Sequence, residues 1–170
     1  GLSADRLAGL VYEREGSIVT LRAEMVRLRK VLERIDDSLV PHSRPYRLPA
    51  RLELDAHRVL AFLDRGAHRV ALGAYSGALL PTSVAPGITE IRRELSQRLR
   101  DALLTDASAE TLLTYARTDE AAYDADLWRT CLRMLPPKSP KRAAVVARLE
   151  RIEAELGPQQ VATSPQPRRS

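Results

Sequence analysis

The chain has 170 residues, 44% of them hydrophobic and 29% charged, which is enough apolar matter for one medium domain or two small ones and excludes disorder throughout. Leu, Ala and Val dominate the apolar set and aromatic residues make up only 4%, so the vocabulary is that of amphipathic helices rather than of a β-sandwich. Lys and Arg exceed Asp and Glu by 27 to 22, a net charge of +5 that permits a polyanionic partner without demanding one.

The lone Cys131 excludes an internal disulfide framework and a zinc site built on several thiolates, which points to a reducing, cytoplasmic compartment. No apolar run approaches the length of a membrane span, so no membrane partner is expected. The opening residues Gly1 to Arg6 lack the layout of a signal peptide and read as the start of a piece cut from something longer.

In chain order, Ser3 can cap a first helix that carries Leu7, Leu10 and Val11 to Tyr12, and Glu13 through Gly16 breaks it. A second helix opens at Ser17, with Ile18, Leu21, Met25, Leu28, Leu32 and Ile35 at alternating three and four spacing. Asp36, Asp37 and Pro41 end that pattern. Extended text follows: Leu39-Val40, a turn at Pro41 to Ser43, then Arg44 to Leu48, two short strands with a basic tip. Helices return with Val59 to Leu63, closed by Gly66, and with His68 to Tyr75. After an irregular Ser76 to Gly87 come Ile88 to Leu104, where Ile91, Leu95, Leu99 and Leu103 keep strict i+4 steps, then Ser108 to Arg117 and Glu120 to Leu135. Pro136-Pro137 is a hard stop, Lys141 to Leu156 is the last helix, and Gly157 is its expected C-cap. The Pro-, Gln- and Ser-rich text from 158 to 170 has no periodicity and reads as a disordered tail.

Charge separates the two halves. Arg22, Arg27, Arg29, Lys30 and Arg34 face only Glu24 and Glu33 on the second helix, and Arg44, Arg47 and Arg51 follow. Between Asp106 and Asp126 the acids Glu110, Asp119, Glu120 and Asp124 meet only Arg117. A phosphate-facing module beside a protein-facing one would produce this asymmetry; a solvated helix face is the plainer alternative.

The stretch from Ser3 to Leu48 resembles the end of an OmpR-type winged-helix DNA-binding domain. The resemblance is carried by Leu2-Ser3-Ala4-Asp5-Arg6-Leu7 leading to Val11-Tyr12, by Val19 to Leu32 with its Arg27-Leu28-Arg29-Lys30, and by Arg44-Pro45-Tyr46-Arg47-Leu48. It implies a supporting helix, a recognition helix and a wing hairpin. Leu21, Met25, Leu28 and Leu32 would then anchor the recognition helix, and Thr20, Glu24, Arg27 and Lys30 would face the major groove of double-stranded DNA. Arg22 and Arg29 join this DNA-binding set, with His42 and Arg44 near the wing tip as candidates for the backbone or minor groove. The family has a sheet and a helix upstream that are not in this sequence, its loop between the two helices is longer, and it carries a glycine where Pro45 stands.

Leu54 to Leu104 resembles the bacterial transcriptional activator domain, on Leu54-Asp55-Ala56-His57-Arg58-Val59-Leu60, on Ala74-Tyr75-Ser76-Gly77-Ala78-Leu79-Leu80-Pro81 and on Ile91-Arg92-Arg93-Glu94-Leu95. The combination is similar to actinobacterial-type regulators in which a GAF domain precedes such a pair. It implies transcription regulation, with RNA polymerase or a second copy of the chain as protein partner. The expected fold is mainly α: a partial winged helix-turn-helix with a short β-hairpin wing at 1–51, a helical, tetratricopeptide-like module at 52–157, and the tail at 158–170. The signature positions of tetratricopeptide repeats do not recur.

A helical scaffold that binds protein alone is the competing function, since the Ile18 to Ile35 stripe also suits a coiled-coil seam, though over only about two and a half heptads. An enzyme is not expected. His42, His57 and His68 do not place two ligands on one helical turn, no glycine-rich phosphate loop exists, and Cys131 and Trp128 read as core. No cofactor or metal is called for.

Overall fold

Ser3 does what its hydroxyl allows: Oγ accepts the Arg6 N–H at 3.2 Å, and helix α1 runs Ala4–Val11 until Tyr12 turns extended. The structure, a computed structural model, describes residues 1–13, 18–49 and 52–156. The expected break at 14–16, the Ser17 cap, residue 51 at the first domain boundary, the Gly157 C-cap and the tail 158–170 lie outside the described residues. The chain is mainly helical, with eight α-helices and one two-stranded antiparallel sheet among the described residues.

Helix α2 (Ile18–Leu32) packs on α1, burying Ala8 and Leu21. The apolar stripe of α2 is covered only in part. Leu21 is 3% exposed and Ile18, Met25 and Leu32 are half-buried, whereas Leu28 is 43% and Ile35 69% exposed. Length explains it, because eight residues of α1 span about 12 Å and cannot cover a helix nearly twice as long.

The hairpin forms with a different register from the expected one. Asp36 caps a single 3-10 turn over Asp37–Leu39, its Oδ1 accepting the Ser38 N–H at 2.8 Å, so Leu39-Val40 is not a strand. Strands β1 (His42–Ser43) and β2 (Tyr46–Arg47) pair His42 with Arg47 and Ser43 with Tyr46, and the turn is Arg44-Pro45, joined by a cis peptide bond. Leu2 extends the ladder: its N–H reaches the Tyr46 carbonyl at 2.9 Å and its carbonyl accepts the Tyr46 N–H at 2.8 Å.

The remaining helices are α3 (Asp55–Leu63), α4 (His68–Ala74), α5 (Pro86–Asp106), α6 (Ala109–Ala116), α7 (Ala125–Met134) and α8 (Lys141–Leu156). Gly66, at φ 68°, supplies the left-handed residue after α3. Helix α5 starts two residues before its apolar pattern because Pro86 has the φ of a first helical residue and no N–H to lose. Ile91 is 51% exposed although Leu95, Leu99 and Leu103 are buried. Each i+4 step overshoots a full turn by about 40°, so a strict i+4 row winds off the covered face. The expected helix from Glu120 is corrected too: α7 begins at Ala125 because the Asp124 carboxylate caps it, Oδ1 accepting the N–H groups of Asp126 and Leu127 at 3.1 and 3.2 Å.

The chain forms two compact units, one from Gly1–Ala61 with Ala74–Arg98, the other from Phe62–Gly73 with Leu99–Ser170. In the first, Gly87 lets α5 approach α1 closely; a Cβ there would lie 3.0 Å from the Leu10 Cβ. In the second, α6 packs on α7 and α7 on α8 around Leu112, Leu127, Cys131 and Ile152, all with no exposed surface. Trp128 is buried with its Nε1 donating to the Ala122 carbonyl at 3.1 Å, and Arg142 closes the end of α7 by donating to the carbonyls of Leu132 and Leu135 at 2.7 and 2.8 Å.

Candidate nucleic-acid interface

Within the first unit, α2, the N-terminal segment and the wing enclose a groove of about 560 Å³. Helix α2 supplies Arg22, Met25, Val26 and Arg29, the chain start supplies Leu2, Ser3 and Ala4, and the wing supplies Ser43 to Tyr46. Arg22 and Arg29 are two turns apart and so share a face of α2. Both face the wing. Arg44 enters from the hairpin turn, so three guanidinium groups converge on one concavity, and no carboxylate is among the described residues that line it.

The backbone pairing of Leu2 with Tyr46 places the hairpin, and Arg29 ties it to the helix. Its Nε donates to the Pro41 carbonyl at 3.0 Å, just before β1, and its side chain is partly buried as a result. Arg22 and Arg44 are exposed. The other expected DNA-binding residues lie elsewhere on the surface. Thr20, Glu24, Arg27 and Lys30 are exposed on α2 outside the groove lining, and Glu24 forms an i, i+3 ion pair with Arg27 whose side chains keep 51% and 71% of their exposure. His42 is exposed on β1, opposite Arg47. Sequence reasoning assembled the helix and the tip but missed Leu2 to Ala4 as a wall of the groove. A pairing between chain start and wing leaves no local signal, because neither partner's own neighbourhood requires the other.

In the second unit the acidic stretch is largely bound up with bases. Glu110 pairs with Lys141, whose hydrogen bond holds the Glu110 carboxyl below its ordinary value. Asp124 takes a two-point contact from Arg100, and Asp126 pairs with Arg129 at 3.0 Å. Burial pushes the Cys131 thiol up to about 11, so it remains protonated at neutral pH. Among the described residues no cluster of His, Cys, Asp and Glu could hold a metal ion, and no helix is long and apolar enough to cross a membrane.

Residues 108–158, the stretch that holds α6, α7 and α8, match a family described as the third C-terminal helical domain of YTH3-like proteins. A Rhodococcus erythropolis protein, described as the uncharacterized 47.3 kDa protein in the thcA 5' region, is 41% identical over 157 residues, covering 92% of this chain and 35% of its own length. The chain thus spans about a third of that curated relative. No solved structure matches the chain.

Proposed function

We propose that the chain is the DNA-binding part of a cytoplasmic, sequence-specific transcriptional regulator, with a partial winged helix-turn-helix followed by a tetratricopeptide-like helical module. The observation that carries this reading is the convergence of Arg22, Arg29 and Arg44 on a groove between a helix and a hairpin, with no acid among its described lining residues. Guanidinium groups so placed suit phosphate oxygens, and each phosphate neutralised releases condensed counterions. In this arrangement Arg22 and Arg44 anchor the backbone, and Arg29 positions the wing. Thr20, Glu24, Arg27 and Lys30 present the base-reading side of α2 to the major groove once the Glu24–Arg27 pair opens. The helical module would contact protein, either RNA polymerase or a second copy of the chain.

A second reading, a helical scaffold that binds protein alone, is favoured by the exposure of Val19 (75%), Val26 (51%) and Val31 (53%) on the same helix. Salt dependence separates the two. Duplexes selected from a random pool by the full chain should bind with a slope of log affinity against log salt near −2, about −0.9 for each of the two phosphates that Arg22 and Arg44 anchor. Arg22→Ala and Arg44→Ala should weaken all duplexes and flatten the slope by about one each, whereas Arg27→Ala should weaken selected duplexes more than random ones. A flat salt response would select the scaffold.

A further inference from the structure

A second concavity of about 660 Å³ lies within the first unit, walled by α3, the start of α5 and the irregular segment 74–80. We propose that it is a binding site for an uncharged, chiefly hydrocarbon small molecule. The proposal stands apart from the DNA reading and concerns a different face of chemistry. Its walls are aliphatic, with Ala56, Val59 and Leu60 on one side and Ile88, Ile91 and Leu95 on the other. The volume falls in the range that takes a ligand of metabolite or drug size.

The third wall is built in advance of any ligand. Arg92 reaches out of α5 and donates Nε to the Leu79 carbonyl at 2.6 Å and Nη2 to the Ser83 carbonyl at 2.7 Å, with a further bond to the Leu80 carbonyl. Tyr75 Oη lies 3.4 Å from Ser96 Oγ. Between these ties Leu80 has a φ of 42°, a left-handed conformation that Gly or Asn adopts with ease and Leu does not. Such residues persist where their surroundings over-determine them, and they gather at ligand clamps. The Leu80 side chain is 56% exposed and lines the pocket, an apolar group held in water beside an apolar hollow.

Lining chemistry and volume define the occupant. Asp55, Glu94 and Arg98 also line the pocket, so both signs of charge are present and neither sign of net charge on a ligand is selected, which leaves the aliphatic walls to set its character. Arg58 on α3 and Glu90, Arg93 and Gln97 on α5 are exposed and polar beside the hollow, while Leu54, Leu80 and Ile91 of its lining are themselves exposed.

The test is titration of the full chain with N-phenyl-1-naphthylamine, an uncharged apolar fluorophore. Saturable binding of one probe per chain is expected. Ile91→Glu, at a position already half open to solvent, and Ala78→Phe, which fills the hollow, should each weaken it by about tenfold or more with helical circular dichroism unchanged. Val19→Glu on α2 should leave it unaltered. Absence of saturable binding, affinity unchanged from the parent in both pocket variants, or loss of binding in Val19→Glu would overturn the proposal. So would a concentration-dependent dimer that Ile91→Glu abolishes, since the hollow would then belong to a contact between copies.

Discussion

Asp124 has two duties in the second unit. One carboxylate caps α7 and receives Arg100 at two points, while Arg100 also lies within 3.9 Å of Asp126. Asp124→Ala removes both functions and should cost about 2–3 kcal/mol in urea unfolding at neutral pH. Burial opposes ionisation of Asp124, yet the hydrogen bonds from Arg100 and from the N–H groups of Leu127 and Asp126 outweigh it and hold its carboxyl below 3.8. The folded state therefore binds this proton less readily than the unfolded chain. Its contribution is complete above the unfolded value and is lost as pH falls through the lower, folded one. Unfolding measured between pH 5 and pH 2, limits chosen to bracket an ordinary carboxylate of about 3.9, should show a steeper acid loss in the parent than in Asp124→Asn. At the Leu80 position Gly relieves the left-handed strain, and Leu80→Gly should raise stability by about 0.5–1 kcal/mol. Single residues with local duties were legible from sequence: the Ser3 cap, the Gly66 turn, the Trp128 and Cys131 core. Asp124 was read as a helical residue although an Asp just before the apolar run of α7 is a local capping signal; its ion pair with Arg100, far away in the chain, left no local signal.

At the scale of elements, the helices were visible because each carries its own apolar periodicity, and α8 was found with its observed ends at Lys141 and Leu156. The wing was visible as extended text, but its register was not. A two-residue strand has too few side chains to fix a register by alternation, and what fixes this one is Leu2, pairing from the opposite end of the segment. Two changes test how the elements are held. Arg29→Ala removes the bond to the Pro41 carbonyl and should speed amide exchange at Tyr46 and Arg47 while leaving α2 protected. Gly87→Val forces α5 away from Leu10 and should destabilise the chain by about 1–3 kcal/mol in thermal or urea unfolding, an overpacking cost. The candidate groove was half legible for the same reason: its helix and its tip are sequence-local, and its floor is not.

For the whole molecule, the feature with the widest reach is that neither compact unit is a continuous piece of chain. Helices α3 and α5 each supply residues to both, so the first unit needs Ala74–Arg98 as well as Gly1–Ala61. A protein ending at residue 51 should accordingly lack a cooperative thermal transition by circular dichroism, whatever its residual affinity for DNA. Birth on the ribosome makes the same point as a matter of time. The first sixty-one residues emerge before the partner strands of sequence that finish their core. At about 5–20 residues per second, the nascent segment must wait seconds for residue 98 to clear the exit tunnel, with the Leu10 face of α1 that meets Gly87 bare meanwhile. Synthesis speed across residues 62 to 98 thereby becomes a natural place for selection to act on this chain.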